Sequence, residues 1–373
     1  MKTKILFLIN TLNGGGAEKV LVDTVNNLDS EKYDITVQTI YDVGVFKNKL
    51  SDKVRYKSII RSKNNIAKRI YSKILLSVLG VKFVYNHFIR SQYDYEIAFL
   101  EGLPTKVISK STNKHCKKYA WIHTDLISNP NSLNAYGCEF NEREAYKSFD
   151  KIFCVSDSVR RSFNEKYGMN DKSVTVYNII DDKAIEEAGG EPVDLPVCTQ
   201  PIIVSVGRLT KPKGYERLLR IHKRLIDEGY SHSLLIIGDG EQRSMLESYV
   251  KENHLDQTVF LLGFQINPHK FIKQCDLFVC SSIAEGYSTV VSESVLCGVP
   301  VLSTDVAGSL EPIEAPRCSI VVENSEQALY EGIKNILENP EKLKLYKDGL
   351  KEIQVRLRKD FLISEFERKV LDE

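Results

Sequence analysis

Two pairs of side chains in this chain have the types and spacing to hold a ligand that carries both anionic and hydroxyl groups. Arg208 and Lys213 lie in VGRLTKPKG, with Gly207 before the guanidinium and Gly214 after the ammonium. Arginine offers a planar fork of donors that matches a diphosphate, and lysine a compact charge. Glu285 and Glu293 bracket EGYSTVVSE. There Gly286 and Ser288 suit a loop and Thr289 a helix start. The backbone N–H groups of Tyr287, Ser288 and Thr289 would then form a phosphate cradle, with the two carboxylates near enough to meet hydroxyl groups of one ligand. Nearer the start, Asn13-Gly14-Gly15-Gly16-Ala17-Glu18 lets backbone approach a ligand closely. It is neither GxGxxG nor a P-loop. His123-Thr124-Asp125 follows an apolar run. Each feature alone also has a plainer reading: a solvated cation, a surface glutamate, a glycine turn, a capped structural histidine.

The elements that must position these residues are legible as apolar runs. KILFLIN, DITVQTI, YEIAFL, KYAWIH, KIFCVS and SVTVYN occupy the first half, and PIIVSVG, SLLIIGD, TVFLLGF, LFVCSS, VPVLSTD and SIVV the second. Most are continuously apolar, as strands buried on both faces are. Charged amphipathic segments such as 216–228, 242–252 and 326–335 separate many of them, which predicts parallel α/β sheets. The acidic stretch 181–200, with Gly189-Gly190 and two prolines, reads as a linker. We therefore expect two doubly wound domains, 1–180 and 201–352, with a cleft between them. A C-terminal helix, 353–373, is expected to pack back on the first domain. The loops carrying the motifs follow strands, where ligands bind in such sheets.

With 373 residues, 42% of them hydrophobic and 27% charged, the chain can bury two cores. It lacks an uncharged apolar run of the roughly 18 residues that span a membrane. Met1 to Asn10 is basic then apolar, but too short and without a small-residue cleavage site, so a first strand is expected rather than a signal peptide. The eight cysteines form no CxxC pair, which predicts reduced structural thiols.

Taken together, VGRLTKPKG, IIGDGE, LGF, EGYSTVVSE, the Gly298-Val-Pro-Val301 turn, the GGGAE loop and WIHTD resemble the retaining glycosyltransferases of family 4, which have the GT-B fold. The resemblance covers nearly the whole chain. It implies that Arg208 and Lys213 bind the donor diphosphate and stabilise its departure. Glu285 would lie near the transferred sugar, and Glu293 would bind ribose hydroxyls. Gly15 and Gly16 would close over phosphate and acceptor, His123 would contact the donor sugar, and Gly263 and Phe264 would hold the base. It further implies a UDP-sugar donor, a hexose or N-acetylhexosamine, retained configuration, and no metal or other cofactor. Many members read Glu-Gly-Phe-Gly where this chain has Glu285-Gly-Tyr-Ser288, and Gly-Gly where it has Ala307-Gly308. Both differences fall in the sugar pocket.

Net charge is +1, yet ten Lys or Arg and no Asp or Glu lie between Lys53 and Arg90. Within it Ile66, Ile70, Ile74, Val78 and Val81 recur at helical spacing, with Lys63, Lys68, Arg69 and Lys73 around them. That pattern suits an amphipathic segment on an anionic membrane, reached through residues 53–90. A core-facing helix with a solvated basic face is the plainer alternative, and nucleic acid is not expected, for want of a stacking motif. The expected setting is cytoplasmic, peripheral on the inner face of the cell membrane. A lipid-linked or oligosaccharide acceptor is expected, in capsule or lipopolysaccharide assembly. The rival readings are a nucleotide-sugar epimerase or phosphorylase on the same scaffold, or a non-catalytic partner subunit.

Overall fold

The computed structural model describes residues 2–61, 71, 74–89, 92–306, 308, 311 and 319–371. The chain forms two compact units: Met1–Ile179 with Ile363–Glu373, and Ile180–Leu362.

The first unit is built on β1 (Thr3–Ile9), β2 (Tyr33–Tyr41), β3 (Arg55–Ile60), β4 (Tyr95–Ala98), β5 (Lys117–Ile122), β6 (Lys151–Cys154) and β7 (Ser173–Thr175). They form one sheet in the order β3-β2-β1-β4-β5-β6-β7, with parallel pairing throughout. Successive residues of β1 from Ile5 to Ile9 are all buried, so both faces of the strand are covered. Helices α1 (Gly16–Asn27), α2 (Val81–Phe88), α3 (Leu103–Ile108), α4 (Glu139–Lys147) and α5 (Asp157–Tyr167) lie between the strands.

The second unit opens with α6 (Asp182–Gly189) and carries β8 (Ile202–Val206), α7 (Tyr215–Asp227), β9 (Ser233–Ile237), α8 (Arg243–Glu252), β10 (Val259–Gly263), α9 (His269–Ile272), β11 (Leu277–Cys280), α10 (Thr289–Leu296), β12 (Val301–Thr304), β13 (Ser319–Val322), α11 (Glu326–Glu338), α12 (Glu341–Arg356) and α13 (Lys359–Val370), which runs on past Leu362. Its sheet has the order β10-β9-β8-β11-β12-β13, again parallel. Alternate residues feed two cores: Ile203, Leu234, Ile236 and Val279 one, and Ile202, Val204, Leu235 and Phe278 the other. The two parallel-sheet α/β domains expected from the apolar runs are present.

Two boundaries differ from expectation. Residues 181–200 are not a plain connector, because Asp181 caps α6 by accepting from the Ala184 N–H, and α6 packs on α9 and α10 within the second unit. The return to the first unit comes at residue 363 rather than 353. Leu350, Ile353 and Leu357 are buried in the second unit's core, and Gln354 donates to the Val295 carbonyl. Beyond that point Phe366 stacks on Trp121, with ring centroids 5.7 Å apart, and the Tyr33 and Tyr95 hydroxyls donate to Glu367 and to the Leu371 carbonyl.

Candidate active site

Strand order reverses beside the first strand of each sheet, at β1 and at β8. Loops leaving the carboxyl ends of strands at such a reversal frame a crevice. In the second unit the two loops are Gly207–Gly214 after β8 and Ser281–Ser288 after β11, which are the two expected motifs.

Backbone and side-chain hydrogen bonds join these loops directly. Ile283 N–H donates to the Pro212 carbonyl at 2.7 Å, and the Ser281 hydroxyl to the Lys213 carbonyl at 3.0 Å. The buried Arg217 guanidinium donates to the carbonyls of Ser281 (2.9 Å) and Ser282 (2.7 Å). Gly214 makes the turn into α7 with φ +69°, and a Cβ there would lie 2.1 Å from the Ser281 oxygen. Gly207 packs on its neighbours, since a Cβ would lie 2.9 Å from the Tyr215 hydroxyl. At Gly214 a side chain would keep the loops from meeting.

On this frame the Lys213 ammonium pairs with Glu285 at 2.5 Å, and the Ser282 hydroxyl donates to the same carboxylate oxygen at 2.6 Å. The side chains are 25% and 10% exposed. Burial works against the lysine's charge, but the Glu285 carboxylate outweighs it and holds Lys213 above the usual lysine value. Arg208 is exposed, and among the described residues no hydrogen bond or ion pair is recorded for its guanidinium. Ser288 precedes α10 without a side-chain cap bond, and its hydroxyl is buried with no partner. The first turn of α10 thus has no side-chain cap on its N–H groups, with Gly286 and the half-buried Tyr287 forming the approach and Thr289 the first helical residue. A held ammonium, an open guanidinium and a helix N-terminus on one sheet edge can accommodate a diphosphate.

Glu293 sits one turn inside α10. It is 3% exposed and its carboxylate meets His269 Nε2 at 3.0 Å. Gly263 ends β10 beside Arg243, and Phe264 follows it, 54% exposed. The sequence reading missed His269, Ser282 and Arg217. Nothing in NPHKFI marks His269, and Arg217 reads as one more cation on a solvated helix face.

In the first unit the reversal brings together the loops after β1 and β4. Gly14 takes φ +86° and Gly15 caps α1. The Glu18 carboxylate folds back over Gly15, where a Cβ would lie 2.2 Å from its oxygen, and accepts from Thr11. Gly16 is the first residue of α1. The β4 loop carries Glu101, another residue the sequence did not mark. It accepts from the His123 N–H at 3.0 Å and the Thr124 hydroxyl at 2.7 Å. Burial pushes its carboxyl above the usual range, against those hydrogen bonds. Burial likewise pushes the His123 imidazole down to about 3, opposed by a hydrogen bond to the Phe99 backbone. His123 Nε2 is buried without a partner. The ring is therefore neutral, with Nδ1 as donor and Nε2 as an open acceptor.

The basic run is not one helix. Arg55 and Lys57 lie in β3, and Arg55 pairs with Asp34 at 2.5 Å. Ile74–Val78 is a π-helical turn before α2. Lys63, Lys68, Arg69 and Lys73 lie outside the described residues. Ile74, Val78, Leu79 and Phe83 are exposed, Val78 by 74%, whereas Leu75 and Val81 are buried. No helix among the described residues is long and apolar enough to cross a membrane. No group of three or more His, Cys, Asp or Glu among them could hold a metal.

Comparison with known proteins agrees with this geometry. Residues 194–351 match the family model for glycosyl transferases group 1. The chain is 30% identical over 224 residues to an N-acetylgalactosaminyltransferase of Campylobacter jejuni named for a diphospho-undecaprenol-linked saccharide, covering 59% of this chain and 60% of that one. It is 26% identical to an N-acetyl-α-D-glucosaminyl L-malate synthase of Bacillus anthracis, over 51% and 49% of the two chains. The chain thus spans about half the length of such curated relatives. The crystal structure of Anabaena HepE in complex with UDP-glucose superposes with a TM-score of 0.75 at 19% identity, over 99% of this chain and 100% of that one. Residues 194–351 thus resemble glycosyl transferases group 1, and the chain carries the GT-B fold.

Proposed function

We propose that this protein is a retaining glycosyltransferase that moves a hexose or N-acetylhexosamine from a UDP-sugar to a lipid-linked saccharide in cell-surface polysaccharide assembly. The observation that carries the reading is the joined pair of loops at the β8/β11 edge. There Lys213, paired with the Glu285 carboxylate that Ser282 also holds, lies with the exposed Arg208 and the α10 N-terminus. In the reaction the bond from the sugar's anomeric carbon to the diphosphate oxygen breaks, and a bond to the acceptor hydroxyl oxygen forms on the same face. The hydroxyl proton leaves with the diphosphate. Arg208, Lys213 and the α10 N–H groups stabilise the leaving charge, so the chemistry needs neither a protein nucleophile nor a metal or other cofactor. Glu293 takes the ribose hydroxyls, and the neutral Nε2 of His123 accepts a sugar hydroxyl.

The names of the relatives support the donor and acceptor classes: one is named for a lipid-diphosphate-linked saccharide, and one neighbour holds UDP-glucose. The exposed apolar residues Ile74, Val78, Leu79 and Phe83 beside Lys82 support contact with an anionic membrane on its inner, cytoplasmic face. A panel of UDP-sugars with lipid-linked acceptors, read by UDP release and product anomeric configuration, tests the activity. Inverted product, or turnover of donor without any acceptor requirement, would overturn it. Flotation with neutral and anionic vesicles tests the membrane reading, which equal recovery on both would exclude.

A further inference from the structure

We propose that His269 is a positioning residue for Glu293, fixing the carboxylate that the preceding reading assigns to the donor's ribose; the inference rests on that reading. Glu293 and His269 are 3% and 7% exposed, and His269 Nε2 lies 3.0 Å from Glu293 Oε2. A carboxylate with so little access to water needs hydrogen bonds to stay charged. Because a carboxylate only accepts, Nε2 must be the donor, whichever charge the ring carries. The contact holds one carboxylate oxygen against the wall of the second unit and so selects the orientation of the other.

The backbone that carries the imidazole is held from behind. The His269 backbone N–H donates to Asn267 Oδ1 at 3.1 Å, and the Asn267 side-chain amide donates to the Ala188 carbonyl of α6 at 2.8 Å. Helices α6, α9 and α10 pack on one another at this point. Gly189 leaves room for the Lys273 stem, which a Cβ would approach to 3.1 Å. The helix that opens the second unit thus supports α9, α9 presents His269, and His269 holds Glu293 on α10. None of these three supporting positions is part of either loop motif, so the arrangement explains why a segment with the composition of a linker is folded here.

The test uses the full chain and three variants, His269→Phe, His269→Gln and Glu293→Gln, with UDP affinity measured by calorimetry and KM and kcat measured with a UDP-sugar. Loss of a hydrogen bond to a charged group weakens binding by about ten- to a hundredfold. His269→Phe keeps the ring's bulk and is expected to raise both the UDP Kd and the donor KM by that factor, with kcat changed less than about threefold. His269→Gln retains an N–H donor of similar reach and is expected to restore most of the affinity. Unchanged UDP affinity in His269→Phe would overturn the proposal, as would a glutamine variant no better than phenylalanine, which would mark a packing role. If Glu293→Gln weakens UDP while His269→Phe does not, the His269 role alone fails. If Glu293→Gln leaves UDP affinity intact, the ribose assignment falls and the His269 role with it.

Discussion

At the sheet reversal of the second unit, the buried and partly buried charges have partners before any ligand arrives, and, among the described residues, the exposed Arg208 stands open. Lys213 is paired with Glu285, Glu285 is held by Ser282, and Glu293 by His269. At the reversal of the first unit, weak acceptors stand open: among the described residues, His123 Nε2 and the Asn10 side-chain oxygen are buried without partners. Both sheets follow the same order around their first strand, so topology does not account for the difference. The proposed ligand chemistry does. A site for a diphosphate is built from charges, and a buried charge left unpaired is costly enough that the empty site must neutralise it. A site for hydroxyl groups is built from neutral acceptors, each costing only about 1–3 kcal/mol when unmet.

Four perturbations break or sharpen this contrast. The largest effect falls on the first unit. Phe366→Ala removes the ring stacked on Trp121 and is expected to cost about 3–5 kcal/mol. Calorimetry is expected to show the first unit's transition lowered and the second's unmoved; a shared shift would mean the units do not unfold separately. Next, Lys213→Met and Arg208→Met are each expected to reduce kcat roughly a hundred- to a thousandfold. Only the lysine variant should also change thermal stability, because only it strands a partly buried carboxylate. Equal melting temperatures in the two would erase the distinction between paired and open cation. Gly214→Ala puts a Cβ against the Ser281 oxygen at positive φ and is expected to destabilise the second unit by about 2 kcal/mol. Denaturant titration reads this, and a neutral result would show that the loops can part.

The smallest effect is shared. Burial pushes His123 and His222 to about 3, while the unfolded value is about 6.5. Between those values the unfolded chain binds more protons, so stability is present above about pH 6.5 and is lost as the pH falls toward 3. The slope approaches about 1.4 kcal/mol per pH unit for each histidine. His123→Gln should flatten it for the first unit and His222→Gln for the second, as followed by pH-dependent melting.

The sequence made most of the strands readable because parallel strands are buried on both faces and stay apolar along their length. β3 escaped because it is an edge strand whose first half, Arg55 to Lys57, is polar and partly exposed. Helix α6 escaped because an acidic first turn and Gly189-Gly190 gave it the composition of a loop. Arg208, Lys213, Glu285 and Glu293 were legible because loop, turn and helix start follow each other in sequence. Glu101 and His269 were not, because what marks them is a partner distant in sequence: Glu101 meets residues 123 and 124, and His269 meets residue 293.

The last turns of α13 carry a consequence for the order in which the molecule is made. Trp121 and the strands around it are synthesised early, but the ring that covers Trp121, Phe366, comes after the whole of the second unit. At about 5–20 residues per second, ribosomal synthesis of Ile180 to Leu362 takes on the order of ten to forty seconds. For that interval the nascent first unit keeps an aromatic surface bare. The second unit, contiguous in sequence, can close on itself before the first is finished.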